Sequence, residues 1–312
     1  MLSRVAESLF WIGRYVERAE NTARMLDVNY YATLEGSGLV TQQWAPLLVI
    51  SGAEERFRQH HARADGRSVP AWLAFDRRNP SSISSCLTQA RENARGLRDR
   101  VPSEMWECIN AAYYALCFSS EGVLDSDGLH TFCVGVRDAS QLFHGISAAT
   151  HPRDEGWAFL RAGQKLERGD NLLRLLGVRY RRSSEEVVAD ALDNHRWMAV
   201  LKSASAYEAY RKRHFTRLEP RRIAAYLLLD PDFPRSVRYC AQALHGGLST
   251  IARAHSGPAG ELEREAAWLV ARLCHARIED ILDLDSPSLD TLLADFARIG
   301  RLVQERYFPA QL

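Results

Sequence analysis

Apolar residues recur at intervals of three and four along almost the whole chain. In the first segment Leu2, Val5, Leu9, Ile12, Val16, Ala23 and Leu26 step along one side of a helix. No long run alternates with period two, and no hairpin turn joins two such runs. The pattern predicts an all-α protein with helices over about 2–34, 41–62, 68–76, 80–100, 103–119, 129–148, 153–180, 185–214, 219–229, 233–255, 259–282 and 288–306. Asn79-Pro80, Pro102-Ser103-Glu104 and Ser286-Pro287-Ser288 read as helix starts. Breaks are expected at Glu35-Gly36-Ser37-Gly38, Asp125-Ser126-Asp127-Gly128, Asp230-Pro231-Asp232 and Ser256-Gly257-Pro258.

The helical pattern repeats itself. Gly13, Glu17, Arg18, Asn21 and Arg24 recur 150 residues later as Gly163, Glu167, Arg168, Asn171 and Arg174. A second block is offset by 153: Trp44, Leu48, Ala53, Glu55, Phe57 and Arg58 meet Trp197, Leu201, Ala206, Glu208, Tyr210 and Arg211. A third is offset by 154: Asp76, Pro80, Ser82, Ile83 and Cys86 meet Asp230, Pro234, Ser236, Val237 and Cys240. Three blocks in one order at a nearly constant offset imply a helical bundle of two tandem copies, 1–150 and 151–312. The expected arrangement is a pseudo-two-fold within one fused globular domain.

Composition narrows the function classes. The 312 residues are 46% hydrophobic and 25% charged with a net charge of +1, an ordinary globular balance that argues against a general nucleic-acid binder. Positive charge is nearly all arginine, since Lys165, Lys202 and Lys212 are the only lysines, and arginine favours forked contacts to carboxylates or phosphates. Six scattered cysteines (86, 108, 117, 133, 240 and 274) show neither Cys-x-x-Cys nor zinc spacing and read as reduced thiols. No apolar stretch reaches membrane-spanning length, and charges in the first 18 residues break any signal-peptide core, so a cytoplasmic protein without a membrane partner is expected.

Candidate chemistry centres on the repeated Gly-x-x-x-Glu-Arg-x-x-Asn-x-x-Arg. On a helix Gly13, Glu17, Asn21 and Arg24 share one stripe, with Arg14 and Arg18 on its flank and the apolar stripe beside it. Glu17 is thus expected at the edge of the core. A helical glycine costs about 1 kcal/mol relative to alanine, so Gly13 signals close approach by a helix or a ligand. Two readings compete. Glu17/Arg168 and Glu167/Arg18 pairs would latch two crossing helices. Alternatively the motifs line a polar cleft in which Arg14, Arg18, Asn21, Arg24, Arg168, Asn171 and Arg174 bind an anion, with Glu17 or Glu167 as general acid or base. Arg91-Glu92-Asn93-Ala94-Arg95 reads either as a salt-bridged surface or as an arginine platform. No phosphate loop or nucleophile elbow occurs. A di-iron bundle needs paired Glu-x-x-His motifs, which are absent, and His144 and His245, each before a glycine, are not a metal pair by spacing. No metal or cofactor is expected.

Leu9-Phe10-Trp11-Ile12-Gly13-Arg14-Tyr15-Val16-Glu17-Arg18-Ala19-Glu20 resembles the opening of the alpha-E family, an all-helical bacterial domain with a Glu-Arg motif. Ala90-Arg91-Glu92-Asn93-Ala94-Arg95, Ser103-Glu104-Met105-Trp106-Glu107, Asp154 to Leu160, Leu166-Glu167-Arg168 and Tyr207-Glu208-Ala209-Tyr210-Arg211 extend the resemblance over essentially the whole chain. It adds Glu92, Asn93, Arg95, Glu208 and Tyr210 to the binding candidates. Gln164-Lys165 departs from the Gly-Arg-x-x-Glu-Arg pattern, so an anion held by that arginine would lack it in the second copy. The resemblance implies work beside a circularly permuted ATP-grasp protein and a transglutaminase-like protein, in making or processing peptide-like amides. The expected role is an accessory or scaffold subunit that binds an anionic small molecule or peptide. The alternatives are a stand-alone enzyme and a purely structural docking module.

Overall fold

The computed structural model describes residues 1–35, 44–116, 124, 128–185, 190–214, 218–255, 260–282 and 288–309. Fifteen helices and no strand occur among them. They are α1 (Ser3–Glu35), α2 (Ala45–Ile50), α3 (Glu54–His60), α4 (Ser68–Ala74), α5 (Ile83–Arg95), α6 (Ser103–Leu116), α7 (Gly128–Thr150), α8 (Glu155–Glu185), α9 (Asp190–Ser203), α10 (Tyr207–Arg213), α11 (Pro220–Leu229), α12 (Val237–Ala254), α13 (Glu261–His275), α14 (Ile278–Leu282) and α15 (Ser288–Tyr307). The expected breaks at Gly36-Ser37-Gly38, Asp125 to Asp127 and Ser256 to Pro258, the start at Ser286-Pro287 and Cys117 lie outside the described residues. No helix among the described residues is long and apolar enough to cross a membrane.

The chain divides into two compact units. One comprises 1–14 with 153–312 and the other 15–152. In the first, α8 packs against α12 and α15, with α11 and α13 against α12. Gly13 and Gly163 explain why the first 14 residues belong there. A Cβ on Gly13 would stand 2.1 Å from the Leu160 carbonyl oxygen, and one on Gly163 2.0 Å from that of Phe10. Only two glycines let the backbones of α1 and α8 come this close. Phe10, Phe159, Tyr307 and Phe308 form an aromatic cluster in this unit, with Phe10 and Phe159 each under 6 Å from Phe308.

In the second unit α5, α6 and α7 pack in sequence, and α2 and α4 are neighbours. The helices expected over 41–62 and 185–214 are each two helices. After α2 the chain turns at Gly52 (φ 65°), where the Ala53 N–H donates to the Leu48 carbonyl. After α9 it turns at Ser205 (φ 54°), where the Ala206 N–H donates to the Leu201 carbonyl. Both are Schellman-type ends that need a left-handed residue. Serine holds that conformation at a cost of about 1 kcal/mol. Ser205→Gly is therefore expected to stabilise the protein by up to about 1 kcal/mol in urea unfolding, whereas Gly52→Ser should cost a similar amount.

Two other local structures recur. Ser82 caps α5 by accepting the Ser85 N–H, and Ser236 caps α12 by accepting the Tyr239 N–H. The cap of α5 is thus Ser82, while Asn79 donates to the Trp72 carbonyl and accepts from the Ser81 N–H. Phe57 stacks on His61 at 4.7 Å, and Tyr210 tilts against His214 at 4.8 Å. Cys86, Cys108, Cys133 and Cys240 are buried free thiols, and burial raises the Cys133 pKa, which keeps it protonated and inert.

Candidate functional site

The Glu-Arg helices carry two groups of polar residues, one in each unit. In the unit of 1–14 and 153–312, the Arg14 Nε donates to Glu167 Oε2 at 2.8 Å. The Arg14 guanidinium also lies over the Trp11 ring at 5.0 Å, which fixes the fork from behind. One turn further along α8, Arg174 Nε donates to Asp170 Oδ2 at 2.7 Å. Burial raises the Asp170 pKa, partly opposed by Arg174. The native carboxyl thus holds its proton more tightly than the unfolded one. Its contribution to stability is present at low pH and declines as pH rises above about 4. Asp170→Asn should flatten that decline, seen as urea midpoints that change less between acidic and neutral pH than in the wild type. Gln164 and Lys165 are buried, Gln164 accepting from Arg161, and the Lys165 ammonium lies 4.9 Å from the Tyr239 ring. Arg168 and Asn171 are half-buried on α8.

In the unit of 15–152, α1 and α7 run antiparallel, joined by a ladder of polar contacts. Glu17 meets His144 at 3.5 Å, Ser140 donates to Glu20 Oε2 at 2.9 Å, and Asp27 meets His130 at 2.7 Å. Glu17 is 0% and Glu20 1% exposed, so Glu17 lies inside the packing, not at its edge. Arg24 reaches back one turn to Glu20 Oε1 at 2.8 Å and is itself buried. Asn21 is buried on the same face, and Arg18 donates to the Ser81 hydroxyl at 3.3 Å. Beneath this ladder a small apolar cavity is lined by Val16, Ala19, Leu87, Ile109, Val136 and Phe143, with Ser140 on its wall.

Several of the remaining candidates have contacts of their own. Glu92 bridges Arg91 and Arg95 at 2.8 and 2.6 Å. Arg91 does not present an open platform: it donates to Asn110 and lies 4.6 Å from the Tyr113 ring, clamping α5 to α6. Asn93 is half-buried and Arg95 exposed. Glu208 is exposed on α10, while Tyr210 is fully buried against Tyr226, and that burial raises its pKa. Sequence reasoning missed Glu20, Ser140 and His144 as partners. Glu20 carried a legible signal, being on the stripe side of α1, but Ser140 and His144 lie 120 and 127 residues from their partners Glu20 and Glu17, and their pairing is tertiary.

An all-helical chain whose repeated Gly-x-x-x-Glu-Arg motif carries Glu17 and Glu167 on buried helix faces falls in the class that the Glu-Arg motif defines. The chain belongs to the Alpha-E family, described as a predicted alpha-helical domain with a conserved ER motif, whose model matches residues 1–308. It is 23% identical over 310 residues to uncharacterised proteins of Mycobacterium bovis and Mycobacterium tuberculosis, covering 94% of this chain and 34% of each of those. The chain thus spans about a third of the length of these relatives. No solved structure matches it.

Proposed function

We propose that this chain is a helical accessory subunit of an amide-forming system built around an ATP-grasp enzyme, acting in the cytoplasm. The observation that carries this reading is the relatives' length: they hold this module as about a third of a longer polypeptide, as expected of a part that works beside others. The family resemblance supplies the ATP-grasp and transglutaminase-like partners. In this reading the Glu-Arg helices recognise an anionic, peptide-like substrate or partner surface, with Arg18 and Arg168 on the half-buried flanks of their helices as the recognition residues. The buried carboxylates hold other arginines of the motif, Arg14 and Arg24, in fixed orientations.

The proposal includes a duplicated unit. Its support is the recurrence of local structure at equivalent positions: Gly13 against residue 160 and Gly163 against residue 10, the turns at Gly52 and Ser205, and the caps at Ser82 and Ser236. Co-purification of the tagged chain from its native cell tests the function. Stoichiometric recovery of an ATP-grasp or transglutaminase-like protein is the expected result, and recovery of the chain alone would overturn the subunit reading. The contact of Glu17 with His144 favours the stand-alone enzyme as the second reading. It requires turnover of a peptide-like amide by the purified chain that is lost in Glu17→Gln with the fold retained.

A further inference from the structure

The contact between Glu17 and His144 has an unusual length. A hydrogen bond between imidazole and carboxylate closes to about 2.7–3.2 Å, and the Asp27 and His130 pair on the same two helices stands at 2.7 Å. Glu17 Oε2 and His144 Nε2 stand at 3.5 Å. That separation matches the edge of a tetrahedral zinc site, where ligand bonds of about 2.0–2.1 Å place neighbouring donors about 3.4 Å apart. A third donor is present: ligand atoms of Glu17, Glu20 and His144 all lie within 4.8 Å of one another.

The surroundings are those of a prepared site. Glu17 and Glu20 are one turn apart on α1, and His144 comes from the facing helix α7, so two rigid elements fix the donors. Both carboxylates are buried, so their oxygens are held at fixed positions in the packing. Glu20 is held from behind at both oxygens, by Arg24 on Oε1 and by Ser140 on Oε2. Such outer contacts orient a metal-binding carboxylate and tune its affinity. His144 is half-buried, and its Nε2 lies within the packing beside Glu17.

We infer that Glu17, Glu20 and His144 form a binding site for one divalent transition-metal ion, of the Zn2+ or Mn2+ class. The mixed donor set narrows the class: the imidazole suits zinc and other late first-row ions, and the two carboxylates also suit manganese, whereas magnesium and calcium take oxygen donors alone. Three protein ligands leave coordination positions open, as in sites that bind or activate a further ligand. The inference stands apart from the subunit reading, since a metal site serves a module with or without an ATP-grasp partner.

The test uses the full chain, stripped with chelator, titrated with Zn2+ or Mn2+ alone and with Mg2+ for comparison. Stoichiometry is read by elemental analysis after desalting and affinity by calorimetry. One equivalent of Zn2+ or Mn2+ is expected, with Mg2+ much weaker. His144→Gln should weaken binding by at least about tenfold while far-UV dichroism stays unchanged, and Ser140→Ala, which removes only a supporting hydroxyl, by about tenfold. The supporting hydroxyl variant decides the matter where the histidine variant fails to fold. Substoichiometric metal in the wild type, or variants that bind as the wild type does, would overturn the assignment. Co2+ substitution gives an independent readout, because its visible spectrum should change in His144→Gln if the imidazole is a ligand.

Discussion

Gly13→Ala and Gly163→Ala should each destabilise the protein by about 2 kcal/mol or more, against the ordinary trend for glycine in a helix. In an open helix, glycine to alanine gains about 1 kcal/mol. Here the new methyl carbon would sit 2.1 Å from the Leu160 carbonyl oxygen or 2.0 Å from that of Phe10. These are backbone atoms of a facing helix, which do not swing aside as a flexible side chain does. Relief requires α1 and α8 to separate, which loosens the neighbouring packing of Phe10 and Phe159 on Phe308 and lengthens the Arg14 to Glu167 contact. Overpacking of this kind costs about 1–3 kcal/mol and sometimes more. The double variant should cost less than the sum, because the first methyl already spreads the crossing for the second. Gly145→Ala and Gly246→Ala are the internal controls: both glycines are helical and nothing lies within 4 Å of their added methyls, so both should stabilise by up to about 1 kcal/mol. Urea unfolding of the four single variants measures the contrast, and a Gly13→Ala protein as stable as the wild type would remove the close crossing from the account.

The sequence carried this crossing because the cost of a mid-helix glycine must be offset by something, and Gly13 and Gly163 occupy the same place in two copies of one motif. The helices themselves were legible for a similar reason: apolar spacing of three and four persists wherever one face is buried, as in α1, where Leu9, Ile12, Val16, Ala19, Ala23 and Leu26 are all core residues. The chain breaks inside 41–62 and 185–214 were less legible. Gly52 offers a turn signal, but Ser205 is an ordinary residue forced into a left-handed conformation by packing on either side of it. The polar groups were half legible. Periodicity places Glu17, Asn21 and Arg24 on one face of α1, but not how deeply that face is buried, nor that α7 brings Ser140 and His144 to it. In Arg91 the arginine-rich run of α5 found a partner that spacing cannot show, the aromatic face of α6.

Arg24→Met should cost about 3–5 kcal/mol, although the pair it breaks looks commonplace in sequence. Arg24 and Glu20 are four residues apart on one helix, 2.8 Å from nitrogen to oxygen. Arg58 and Glu54 have the same spacing and a 2.7 Å contact. The two pairs differ in burial: the Arg24 and Glu20 side chains are 9% and 1% exposed, those of Arg58 and Glu54 74% and 38%. Water screens the outer pair, and Arg58→Met should change stability by no more than about 0.5 kcal/mol. At the inner pair, removal of the guanidinium leaves the Glu20 carboxylate in the packing beside a second buried carboxylate, Glu17, with the neutral Ser140 hydroxyl still donating to it. The dominant cost is the charge left behind and not the loss of an attraction. Neutralising that charge should therefore return most of the stability: Glu20→Gln with Arg24→Met is expected to lie well above Arg24→Met alone in urea midpoint. A double variant no more stable than the single would mean that Arg24 acts through the packing of its aliphatic stem instead. A divalent ion bound by Glu17 and Glu20 adds a further contrast. Saturating Zn2+ should then rescue Arg24→Met by more than it stabilises the wild type, since the ion supplies the positive charge that the guanidinium no longer does.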